Sequence, residues 1–117
     1  MNFEEHTTHT PTYYGDHFQF GEQIFRQPIV FGNDTVQTLP EKPWQDWHSH
    51  DFQAAIGAGA NLILLGTGKQ QHFLAAEIRA ELSAQGASVE CMNTAAACRT
   101  LMLLHSEGRK VWAYLFL

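Results

Sequence analysis

The sequence predicts a single α/β domain in which an N-terminal antiparallel β-meander leads into a β-α-β-α-β unit. Three observations carry this expectation. The chain has 117 residues, a length that suits one domain around one core. Between Tyr13 and Leu39, short β-favouring runs are separated by Gly and Asn, the mark of strands joined by tight turns. From Asn61 to Leu117, apolar runs alternate with helical periods at short spacing, which argues for parallel strands joined by helical crossovers.

Residues 1–11 are polar, rich in Thr and His, and end at Pro11. They read as a flexible tail, and residues 12–117 as the domain. Phe18 and Phe20 alternate with polar neighbours until Gly21. Ile24-Phe25 and Ile29-Val30-Phe31 follow, then the turn pair Gly32-Asn33, then Thr35 to Leu39. Pro40 and Pro43 make the next stretch a connector, because proline ends strand pairing. Trp44, Trp47, Phe52, Ala55 and Ile56 lie on a rough helical period, with Ser49 or Asp51 as a cap and Gly57 and Gly59 at the end.

Asn61 to Leu65 is a continuous apolar run, as expected of a strand buried on both faces. Gly66-Thr67-Gly68 reads as a turn. Leu74, Ile78 and Leu82 recur every four residues, and Gly86 stops that helix. Ser88 to Met92 is a short strand, Thr94 to Glu107 an Ala- and Leu-rich helix closed by Gly108, and Val111 to Leu117 a final strand.

Composition narrows the function. The net charge is −5. Residues 1–60 carry two basic and eight acidic side chains, and residues 61–117 carry five and four. No clustered basic surface is visible, so no nucleic-acid partner is expected. The strongly apolar runs, such as Leu62 to Leu65, are far too short for a membrane span. The N-terminus is acidic and the first Arg is Arg26, unlike a secretory or mitochondrial leader. The chain reads as cytoplasmic, with Cys91 and Cys98 reduced.

Two strand-to-helix junctions carry the candidate site residues. Gly66-Thr67-Gly68-Lys69 stands where phosphate-binding loops stand, since backbone amides and the helix dipole there attract anions. It lacks the third Gly of the dinucleotide fingerprint, because Gln71 occupies that position, and Gln70 follows Lys69 where a phosphate loop needs Ser or Thr. At the second junction, Met92-Asn93-Thr94, either Asn93 or Thr94 can cap the following helix. Cys98 and Arg99 follow one turn in, and Arg99, Leu103 and Glu107 share a helix face. If the strands are parallel neighbours, both junctions lie at the strand C-termini, the usual ligand position of an open α/β sheet. Arg99 there suits a carboxylate or phosphate. Cys98 has no base beside it and reads as a small apolar residue. The pairs His48/His50 and His6/His9 are too few for a metal centre. No catalytic set stands out, and no cofactor and no metal are expected.

Leu64-Leu65-Gly66-Thr67-Gly68, Met92 to Thr100, and Glu107-Gly108-Arg109-Lys110-Val111, read together in that order, carry a resemblance. Residues 12–117 resemble the small domain of the mitochondrial NADH dehydrogenase (respiratory complex I) assembly factor 3. Adipogenesis-associated proteins and many bacterial and archaeal proteins share this domain. The resemblance implies a compact α/β fold with a mixed sheet flanked by helices, no established catalysis, and a role in assembly through protein contacts. This chain has Asn93 where that family commonly has Asp, and Leu101-Met102 where it commonly has Tyr-Asn.

The first expectation is therefore a non-catalytic interaction module that assists respiratory-complex assembly, contacting a protein partner around Gly66, Thr67, Gly68, Thr94, Arg99 and Arg109. The alternative is a binder of, or enzyme on, a small anionic metabolite held by the Gly66 loop and Arg99. Lys69, Met92, Cys98 and Glu107 complete the candidate cleft.

Overall fold

A computed structural model describes residues 9–117. Most of the expected tail, residues 1–8, lies outside the described residues. Thr10 and Pro11 are buried, so the packed chain begins just before the expected boundary.

The N-terminal strands divide between two sheets. Strands β1 (Thr12–Tyr13), β2 (Phe18–Phe20) and β3 (Gln23–Phe25) form a small antiparallel sheet in that order. Pro28 then interrupts pairing, having no N–H to donate. Strands β4 (Ile29–Gly32) and β5 (Thr35–Thr38) form a hairpin that joins the main sheet. Its turn is Asn33-Asp34, not the expected Gly32-Asn33. Both turn residues have positive φ, 51° and 62°, as in the primed turns whose twist matches a hairpin. Gly32 stays in the strand because the Trp112 ring lies flat against it; a Cβ there would stand 2.3 Å from that ring.

Strand β6 (Leu62–Thr67) lies between β7 (Ser88–Met92) and β8 (Trp112–Phe116), parallel to both. Strand β8 pairs antiparallel with β4, so the main sheet is mixed, in the order β5-β4-β8-β6-β7. One face buries Ile63, Leu65, Tyr114 and Phe116 with Trp47, Phe52 and Leu82. The other buries Leu64, Ala113 and Leu115 with Phe18, Ala97 and Leu101. Helix α3 (Thr94–Ser106) covers the second face, and the Asn93 side chain caps it, accepting from the Ala96 N–H at 2.8 Å.

The helix expected over Trp44 to Ile56 is broken. It consists of two 3₁₀ turns, Trp44–Asp46 and Ser49–Phe52, followed by α1 (Gln53–Gly57). The backbone is extended at Trp47 and His48, which drives the Trp47 ring into the core against Phe52, Tyr114 and Phe116 at centroid distances of 5.0–5.5 Å. Asp51 holds the bend. It accepts from the His48 N–H at 2.8 Å and pairs with the Lys42 ammonium at 3.0 Å. Partial burial opposes its charge, but these two donors outweigh it, and the carboxyl is held below its ordinary 3.8. A depressed folded-state pKa contributes stability above the unfolded value and loses it as the pH falls through the folded one. Asp51→Asn is therefore expected to melt lower than wild type at neutral pH, with the gap closing on strong acidification. Paired thermal melts check this, and a gap unchanged by acid would contradict it.

Helix α2 (Ala76–Ala84) starts later than the period suggests. Leu74 belongs to the preceding loop, where its N–H points to the Cys91 sulfur at 3.4 Å.

Candidate functional site

Gly66 and Thr67 end strand β6 rather than forming a turn. Gly66 pairs with Met92 and Leu115 on the flanking strands. It must be Gly, because a Cβ would stand 2.9 Å from the Thr94 hydroxyl and 3.1 Å from Leu115. The chain turns at Gly68, where φ is +93° and a Cβ would press on the Leu117 carbonyl at 2.9 Å.

Thr94 is fully buried and ties this edge together. Its hydroxyl accepts from the Gly68 N–H at 2.8 Å and donates to the Phe116 carbonyl. Its own N–H donates to the Gly68 carbonyl at 2.8 Å. The Thr67 hydroxyl donates to the Gln70 carbonyl at 2.6 Å and accepts from the His72 N–H at 3.1 Å. The Gly68 amide expected to cradle an anion is thus already satisfied, and the Gly66 junction is a joint between strand ends. Lys69 stands exposed beyond it.

Arg99 lies elsewhere, exposed on the outer face of α3. It makes no ion pair or hydrogen bond with another described residue. With Ala95, Cys98 and Met102 it forms one wall of a depression of about 190 Å³, and Pro11, Thr12 and Tyr13 form the other. Spacings of four and seven residues place Ala95, Arg99 and Met102 on one helical stripe. The Tyr13 hydroxyl is buried without a hydrogen-bond partner among the described residues. Burial raises its pKa, with Cys98 and Asp16 adding to the effect. Met102 and Leu103 extend this surface and are 45% and 58% exposed.

Burial pushes the Cys98 thiol up to about 12 despite Arg99 beside it. A thiolate is the reactive form, so Cys98 is expected to stay unmodified when the native protein is treated with iodoacetamide near neutral pH. Peptide mass mapping checks this; rapid native labelling of Cys98 would contradict it.

Glu107 and Arg109 do not join this surface. They follow α3, at the end of the sheet opposite Gly66 and Thr94. Glu107 is exposed at the helix terminus. Arg109 separates two depressions, one under the β4–β5 turn and one beside β7. The single cleft expected from the sequence is thus divided between the two ends of the sheet and the outer face of α3. Sequence reasoning missed Tyr13, Met102 and Lys110. The three-residue spacing of Met102 from Arg99 is the signal that could have placed Met102 on the same helix face.

His48 and His50 stack at 6.0 Å. Among the described residues, no group of three or more His, Cys, Asp or Glu is placed to hold a metal ion. No described helix is long and apolar enough to cross a membrane.

These features define a class, a one-domain α/β protein with a mixed sheet flanked by helices and shallow surface depressions at its two ends. The chain belongs to the family described as protein of unknown function (DUF498/DUF598), whose model matches residues 11–116. It is 36% identical over 98 residues to an uncharacterized protein of Rhodobacter capsulatus, covering 82% of this chain and 79% of that one. A crystal structure of a Bordetella parapertussis protein superposes with a TM-score of 0.82 at 35% identity, covering 94% of this chain and 96% of the other. A solution structure of a Bordetella pertussis protein, described as a Mth938-like domain, superposes with a TM-score of 0.77 at 26% identity, covering 93% and 85%.

Proposed function

We propose that the chain is a non-catalytic protein-interaction module that binds its partner over the outer face of α3, with Arg99 at the centre of the contact. The observation that carries this reading is the state of Arg99, an exposed cation without an ion pair among the described residues, ringed by Tyr13, Ala95 and Met102. Arg, Tyr and Met are the residue types enriched in interface cores. The partner chemistry that fits is a carboxylate flanked by apolar side chains. It would pair with the guanidinium. The resemblance to the assembly factor 3 domain supports a partner among the subunits of a membrane-associated oxidoreductase, with this module assisting its assembly.

The other reading, a small anionic metabolite held jointly by the Gly66 loop and Arg99, has less support. Thr94 already occupies the Gly68 N–H.

Affinity capture from the native cell tests the proposal with wild type, Arg99→Glu and Arg79→Glu, the last an exposed charge on α2. Truncating a central interface Arg commonly costs about 2 kcal/mol or more. Proteins held by wild type and by Arg79→Glu are therefore expected to fall by roughly 10-fold or more with Arg99→Glu. Capture indifferent to Arg99 would overturn the reading.

A further inference from the structure

We infer that the outer edge of β5 is a self-association surface, where a second copy of this chain adds its own β5 antiparallel and continues the main sheet. Strand β5 ends that sheet on one side, and Thr35, Gln37 and Thr38 are exposed. Its pairing with β4 runs without a bulge, from Gly32 opposite Thr35 to Ile29 opposite Thr38. Just beyond, the Leu39 N–H donates to the Pro28 carbonyl at 2.9 Å. In an antiparallel pair the backbone groups of successive residues turn alternately toward and away from the neighbour. Thr35, Gln37 and Leu39 therefore face β4, while Val36 and Thr38 turn their N–H and C=O groups outward. No described residue hydrogen-bonds those outer groups.

Open edges are ordinarily blunted by a charge, a proline, a bulge or a covering segment. The other edge of the sheet is blunted in this way. Strand β7 carries Glu90, and the Gln71 side-chain amide donates to its Cys91 carbonyl at 3.1 Å. Thr35-Val36-Gln37-Thr38 has neither charge nor proline. What selects a second copy is that the outward pattern is symmetric about Gln37. A two-fold axis there sets Val36 opposite the second copy's Thr38, so that each donates to and accepts from the other. Both side chains are β-branched and pack well side by side. Gln37 meets its own counterpart and Asp34 falls opposite Pro40, so no like charges face each other along the pairing. Shifted registers fail. Centring on Val36 would need pairing by Asp34, whose φ is 62°. Centring on Thr38 would need an N–H from Pro40, which has none. The edge shares no residue with the Arg99 surface, so either can fail without the other.

Sedimentation velocity of the full chain over a concentration series tests this. So short an edge makes a small contact, and wild type is expected to dimerise with a dissociation constant on the order of 0.1 mM. Gln37→Lys and Gln37→Glu each set like charges across the axis and should weaken dimerisation by roughly 5-fold or more. Mixed in equal amounts, the two variants should recover it as a heterodimer. Thr38→Pro removes an outward donor without touching the β4 ladder and should leave a folded monomer, with circular dichroism reporting the fold. Wild type that stays monomeric up to about 1 mM, a dimer indifferent to these substitutions, or a mixture of the two charged variants that fails to recover it would overturn the two-fold pairing.

Discussion

Trp47→Ala is expected to cost about 3–5 kcal/mol of stability, the range for a large aromatic taken out of a packed core. Trp47 is 3% exposed. Its ring meets Phe52, Tyr114 and Phe116 edge-on, and its indole N–H donates to the Lys42 carbonyl at 3.0 Å. It therefore anchors the connector to β8, and truncation opens a cavity that the rigid sheet beneath cannot close. Small domains have only about 5–15 kcal/mol in total, so the melting temperature should fall by roughly 10–20 °C. Trp47→Phe should recover much of the loss. Urea unfolding monitored by circular dichroism measures both variants. A loss below about 1 kcal/mol for Trp47→Ala would mean that the connector is not part of the cooperative core.

Thr94→Val is expected to cost about 2–4 kcal/mol, although it preserves the shape of the side chain. The hydroxyl is buried between the Gly68 N–H and the Phe116 carbonyl. Removing it orphans a buried donor and takes a donor from a buried acceptor, at roughly 1–3 kcal/mol for each unsatisfied group. Thr94→Ser keeps both bonds and should lose about 1 kcal/mol, the worth of one methyl group. This ordering separates a joint from a ligand cradle. If the strand ends were built to hold an anion, Thr94→Val would leave stability nearly intact. Thermal melts of the three proteins decide between the two.

The second half of the fold is legible in the sequence because its signals are local. Leu62 to Leu65 has the continuous apolar pattern of a strand buried on both faces, and Asn93 or Thr94 marks the start of α3. What the sequence hides depends on distant partners. Gly66-Thr67-Gly68 has the composition of a turn, yet Gly66 belongs to the ladder, because Thr94 needs the space a side chain would take. Trp44 to Ile56 has a helical period, yet Trp47 is drawn into the core and the helix breaks around it. The meander reads as one unit, yet β4 leaves it to pair with β8 at the far end of the chain. Of the residues lining the candidate surface, the sequence named Cys98 and Arg99 but neither Tyr13 nor Met102. Arg99 and Arg109 both looked like residues of one strand-end cleft. Arg99 instead stands mid-helix on the outer face of α3, and Arg109 follows the helix at the end of the sheet opposite Gly66 and Thr94.

The most direct test of the interaction surface is photo-crosslinking in the native cell, with a crosslinking side chain in place of Met102. Met102 is 45% exposed, on the helical stripe that carries Arg99. A discrete adduct at Met102 is expected. It should disappear when Arg99→Glu is added, and the same probe at Arg79 on α2 should give none. Equal adducts at both positions, or an adduct at Met102 that survives Arg99→Glu, would contradict an Arg99-centred contact.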